Sequence, residues 1–229
     1  MATLGPDDFR FKHPMNLLVV GPTQAGKSSW VKQLLLHGKK LVNVEFSSIH
    51  WICAQETDVT RELRVLFPGI NIWKGLPQDL DLFLKPIGKD SVIVIDDLQK
   101  EIANHDEISE LFIRQGHHLG ISVILLVHNL FFPGRDRVTI NRNATYVALF
   151  KSPLDAQPVH ILGQRLLPGE GKVFVKIFTK ATKDPHSCLV IDGSQDCPDI
   201  CRFRSHIYGG YQRVYIPRSW AIEAGVEML

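Results

Sequence analysis

Gly21-Pro22-Thr23-Gln24-Ala25-Gly26-Lys27-Ser28 sets a glycine, four residues and then Gly-Lys-Ser, directly after an apolar run and before an amphipathic one. These residue types suit one task. Consecutive backbone N–H groups curl round a phosphate only if the loop can adopt unusual φ/ψ, hence the glycines. A helix beginning at the loop adds partial positive charge where the anion sits. Lys27 is long enough to reach β- and γ-phosphates, and the Ser28 hydroxyl is a ligand for Mg²⁺. Ser29 follows as a further N–H and hydroxyl at the helix start. The stretch therefore reads as a Walker A loop, with Gly21 to Ser29 as nucleotide-binding residues.

A second group is VIVIDD (92–97). Four apolar residues running into a carboxylate put Asp96 at the C-terminal end of a buried strand, where α/β sheets bind ligands. Asp96 is expected to hold Mg²⁺ as the Walker B acid, and Asp97 to polarise an attacking water. Glutamate is common at the second position, so Glu101, about one turn on, is the alternative base. A third group, LLVHN (125–129), ends another apolar run with Asn129, a neutral donor and acceptor suited to sensing a γ-phosphate or its water. His128 flanks it.

The elements around these residues follow from periodicity. Residues 15–21, 49–54, 90–97, 121–129 and 144–150 read as short, nearly all-apolar strands. Helical spacing recurs over 28–38, 57–67 and 107–120. Strands alternating with helices predict an α/β fold, a mostly parallel sheet with helices on both faces. The extra strand at 49–54 is expected to separate the Walker loop from its acid, the mark of the additional-strand P-loop NTPases. Beyond residue 150, KVFVKIFTKA (172–181) and HSCLVID (186–192) read as a β-hairpin extension, with Gly169-Glu170-Gly171-Lys172 as its leading turn. The expected organisation is one domain over 1–204, with a core at about 14–152, an extension at 153–204 and a loosely attached tail at 205–229.

The chain has 229 residues, 22% of them charged and 45% hydrophobic. No apolar run is long enough to span a bilayer. The first residues resemble no secretory signal, and four cysteines then suggest free thiols in a reducing compartment. Lys and Arg number 13 against 15 Asp and Glu in residues 1–129, and 13 against 9 in 130–229, so the halves carry −2 and +4. That tilt is too mild for a dedicated nucleic-acid tail, though several copies in a ring could hold a polyanion. No Asn-Lys-x-Asp sequence is present to read a guanine. Arg135, Arg137 and Arg142 could form the lid of a small-molecule kinase. Cys188, Cys197, Cys201 and His206 are spaced loosely like a zinc set, without a compact C-x2-C knuckle, and free thiols are the expectation. His117-His118 reads as a solvated turn.

GPTQAGKSSW, VIVIDDLQKE, LFIRQGHHLGISVILLVHNLFFPG and NRNATYVALFKSPLD, in that order over about residues 14–195, resemble the genome-packaging ATPases of double-stranded DNA viruses. The similarity is to the FtsK–HerA superfamily, in its poxvirus-like, Polinton-like and adintovirus-like branch. The resemblance implies a RecA/FtsK-like fold and a homo-oligomeric ring that hydrolyses ATP with Mg²⁺ to translocate double-stranded DNA into a preformed capsid. It implies phosphate contacts to DNA without sequence preference, a capsid or portal protein as partner, and no membrane. The location would be the host nucleus, a cytoplasmic viral factory or the particle itself. On it, Lys27 and Ser28 hold phosphate and metal, Asp96 and Asp97 are the Walker B pair, and Asn129 is the sensor. Arg114 becomes the first choice for an arginine finger offered to a neighbouring subunit, and Arg142 the second. Relatives often carry Gln where this chain has His128. A cellular FtsK/HerA-like DNA pump, or an ATP-binding switch with little turnover, are the alternatives.

Overall fold

In the computed structural model, residues 9–98, 110–112, 116–130, 140, 142–208 and 212–223 are described. Their centre is a nine-stranded sheet in the order β3-β2-β4-β5-β1-β6-β7-β8-β9. The strands are β1 (Asn16–Val20), β2 (Ser48–Cys53), β3 (Asn71–Lys74), β4 (Ser91–Asp96), β5 (Ile121–Val127), β6 (Tyr146–Phe150), β7 (Cys188–Asp192), β8 (Phe203–Ser205) and β9 (Arg213–Val214). From β3 to β6 every pairing is parallel. From β6 to β9 the pairings are antiparallel.

The continuous apolar runs are explained by cover on both faces. Along β1, Leu18 and Val20 point to one core while Leu17 and Val19 point to the other, the two-residue period of a strand expressed on two buried sides. One core is closed by α1 (Lys27–Leu36) and α2 (Asp58–Leu66), through Val31, Leu34 and Leu63. The other is closed by α3 (Leu80–Leu84), by Leu111 and Phe112, and by α4 (Gln157–Leu166) with α5 (Gly171–Ala181). Short helical turns also form at Gly38–Leu41 and Gly116–Leu119, and α6 (Arg218–Glu223) closes the described chain. Thr57 caps α2 by accepting from the Thr60 N–H, with Thr60 returning the bond, so two orphan donors are satisfied together.

Three expectations change. An additional strand does lie between the Walker loop strand and the acid strand, but it is β5; β2 lies on the far side of β4. Residues 172–181 form helix α5, not the first strand of a hairpin. Its core-facing residues are Phe174, Ile177, Phe178 and Ala181, at i, i+3, i+4 and i+7, and this helical period outweighs the apolar–polar alternation that reads as a strand. Gly169-Glu170-Gly171-Lys172 therefore leads into a helix, with Gly169 at φ 81°. The antiparallel extension is real, and β7 is part of it, but its other members are β8 and β9.

From residue 205 on, the described residues pack rather than hang free. Trp220 stacks on Phe203 with ring centroids 5.4 Å apart, and the Tyr208 hydroxyl donates to the Trp30 carbonyl.

Candidate nucleotide site

β1 delivers the chain at the C-terminal edge of the sheet, and the loop turns immediately into α1. Gln24 at φ 64° and Gly26 at φ 96° supply the left-handed backbone that the turn needs. The second position is exacting: a Cβ on Gly26 would also meet the His186 ring at 3.2 Å. Gly21 is fixed by contact instead, because a Cβ there would lie 2.6 Å from the Phe150 Cβ on β6. Lys27 folds back over the loop and donates to the carbonyls of Gly21 at 2.7 Å and Pro22 at 3.0 Å.

Asp96 is the last residue of β4, level with Leu126 of β5. It is buried and accepts a hydrogen bond from Ser28. Burial pushes its carboxyl above the usual range, opposed by the Ser28 bond and by the charge of Lys27. Burial likewise pulls the Lys27 ammonium down, against the attraction of Asp96 and Asp97. Acid and base are both short of countercharge. A divalent cation beside Asp96 and phosphate oxygens beside Lys27 would supply it, and Ser28 with Asp96 form the paired oxygen donors that Mg²⁺ prefers. The residues thus fit a Mg²⁺–nucleotide.

Asp97 leaves the strand at φ 57°. Its Oδ1 accepts from the Nε2–H of His128 at 2.8 Å. Because β4 and β5 are neighbours, their C-terminal ends bring these two residues side by side, both open to solvent. Asn129 follows, exposed, at the same edge. Gly21–Ser29, Asp96, Asp97, His128 and Asn129 therefore gather along one edge of the sheet. Arg142 lies exposed in a short helical turn before β6. Arg114, Glu101, Arg135 and Arg137 lie outside the described residues.

His186 escaped the sequence reading. It sits at φ 59° in the loop joining α5 to β7, with its Nδ1 3.2 Å from the Ala25 carbonyl. It stands between two clefts that flank the Walker loop. One, about 360 Å³, is lined by Pro22, Phe150 and Lys183; the other, about 680 Å³, by Ser29, Gln33 and Tyr208. A histidine two residues before a strand gives no signal by type or spacing; only the pairing of β6 with β7 brings it to the loop.

All four cysteines are buried as free thiols, and among the described residues no three His, Cys, Asp or Glu side chains gather as a metal set. Cys188 faces the apolar core from β7, where burial raises its pKa far above that of an exposed thiol.

Fold and site together define a P-loop ATPase fold. No protein-family profile matches the chain, and no curated protein sequence matches it. Among solved structures it is similar to the genome packaging NTPase B204 of Sulfolobus turreted icosahedral virus 2. With sulfate bound, that structure gives a TM-score of 0.54 at 13% identity, over 89% of this chain and 96% of that one. With ATP-gammaS bound, the TM-score is 0.52 at 13% identity, over 93% and 99%. At this identity the likeness establishes the fold.

Proposed function

We propose that this chain is a Mg²⁺-dependent ATPase that drives double-stranded DNA into a viral capsid, acting as a homo-oligomeric ring of the FtsK–HerA type. The observation that carries the hydrolytic part is the edge where Lys27, Ser28 and Asp96 meet the hydrogen-bonded Asp97–His128 pair. The translocase part is supported by the similarity of almost the whole of a viral packaging NTPase to this chain.

In this reading the loop N–H groups and Lys27 hold the phosphates, and Ser28 and Asp96 hold the metal. Mg²⁺ held there would supply charge neutralisation for the phosphates. Asp97 takes the proton of the attacking water, and His128 fixes the carboxylate that receives it. Asn129 reports the state of the γ-phosphate. A neighbour's Arg114, or else Arg142, meets the charge that develops on the transferred group, a task suited to the planar guanidinium. The capsid or portal protein would be the docking partner, in the nucleus, a viral factory or the particle.

Steady-state ATP hydrolysis with and without long duplex DNA tests this, with Asp97→Asn beside the wild type. DNA-stimulated turnover that falls by about 10²–10⁴ in the variant supports a motor with Asp97 as base. Turnover insensitive to both would leave an ATP-binding switch.

A further inference from the structure

Helix α5 separates a row of lysines from Phe174 and Phe178, with which a strand would have interleaved them on one face. Lys172, Lys176 and Lys180 recur every four residues, and Lys183 follows just past the helix end. At 100° per residue all four fall within an arc of about 80°, on the side away from Phe174, Phe178 and Ala181. All four are exposed. No acidic residue occurs within the helix. Of the nearest carboxylates, Glu170 precedes the helix, and Asp184 lies 3.6 Å from His206. None of the four ammonium groups forms an ion pair among the described residues. Such a row costs stability through like-charge neighbours at i, i+4, and nothing within the helix offsets it.

The row also has a floor. Lys176 and Lys180 border a groove of about 610 Å³ between α5 and the β9 edge, shared with Tyr215 and Ile216. Three rungs at about 6 Å span about 12 Å of helix. Over that distance one strand of duplex DNA presents three or four phosphates, at about 3.4 Å per step along the axis.

We propose that the Lys172–Lys176–Lys180 face of α5 is where this chain grips the phosphate backbone of duplex DNA. The inference rests on the translocase reading, since it names the surface through which that reading would act. Lysine suits the role: a point charge on a flexible stem follows a moving backbone without fixing register or sequence.

The test is a salt series of duplex DNA binding by the full chain, followed by fluorescence anisotropy. It compares wild type, K172Q/K176Q/K180Q, a charge-restoring K172R/K176R/K180R, and a control triple K40Q/K74Q/K85Q of exposed lysines elsewhere. Lys183 is left intact because it lines a cleft beside the Walker loop. The expected result is a drop of about 3 in the slope of log K against log salt for the α5 Gln triple, at about 0.9 per phosphate contact. The Arg triple and the control should keep the wild-type slope, and DNA-free ATP hydrolysis should be unchanged in all four, which also shows that they fold. If wild type binds DNA and the control loses as much as the α5 triple, the face is overturned while the translocase reading stands. Preferential loss of single-strand or RNA binding would also overturn it. If wild type binds no duplex at all, both fall.

Discussion

At the scale of single residues, the site trades stability for chemistry. Burial raises the Asp96 carboxyl, so the folded state favours its neutral form. The associated stability is present below the ordinary carboxylate range and is lost as pH rises through the folded-state value, which leaves an ionised Asp96 as a cost at neutral pH. Asp96→Asn is therefore expected to raise the melting temperature at pH 7 while abolishing Mg²⁺-dependent hydrolysis; thermal unfolding with and without Mg²⁺ checks both. The gain over wild type should shrink as the pH is lowered toward 4. His128 tests the other half of the site. If it positions Asp97 through its Nε2–H, then His128→Ala lowers kcat by about tenfold, one lost hydrogen bond to a charged group. His128→Gln, whose amide nitrogen can reach the same place, should recover most of that with KM unmoved. Loss in both variants would mean that this hydrogen bond is not what His128 contributes.

Among elements, the α4–α5 pair shows most directly how packing selects structure. The two helices approach at Gly163, where a Cβ would come within 2.9 Å of the Phe174 Cδ1 and 3.1 Å of the Gly171 carbonyl. Gly163→Ala is expected to destabilise by about 1–3 kcal/mol through overpacking, a melting point lower by roughly 2–12 °C. Gly88→Ala, with open space around it, should leave the melting point in place. This is also where the sequence was least legible. β1, β2, β4, β5, β6 and β7 were readable because each is an apolar run ended by a turn residue. That the Walker loop, Asp96, Asp97 and Asn129 share one edge of the sheet was readable because each stands at or just past the C-terminal end of an apolar strand. α5 carried both periods, and its apolar–polar alternation reads as a strand; the contact of Gly163 with Phe174 shows which faces meet. β3 is a short, largely exposed edge strand, too brief to show a pattern. The placing of β5 between β1 and β4 is set by long-range pairing, which local periodicity does not encode.

For the whole molecule, a buried ion pair between β7 and β8 also ties down the first described residues. Arg204 on β8 donates to the Asp192 carboxylate at 2.8 Å and to the Phe9 carbonyl at 2.7 Å, with both side chains almost fully enclosed. Arg204→Ala would strand a buried carboxylate and is expected to cost about 3–5 kcal/mol. Asp192→Asn/Arg204→Met, which removes both charges, should recover much of that loss; denaturant unfolding of both variants decides it. The strand order has a further consequence, in time rather than in space. β1 ends at Val20, whereas its only sheet neighbours begin at Ile121 and Tyr146. At roughly 5–20 residues per second on a ribosome, β1 waits about 5–20 s before its first partner exists. Meanwhile β2, β3 and β4 are complete and can pair among themselves. The newborn chain thus carries an apolar strand, and the loop attached to it, unpartnered through much of synthesis. The half of the sheet that can pair first is the half that holds no nucleotide loop.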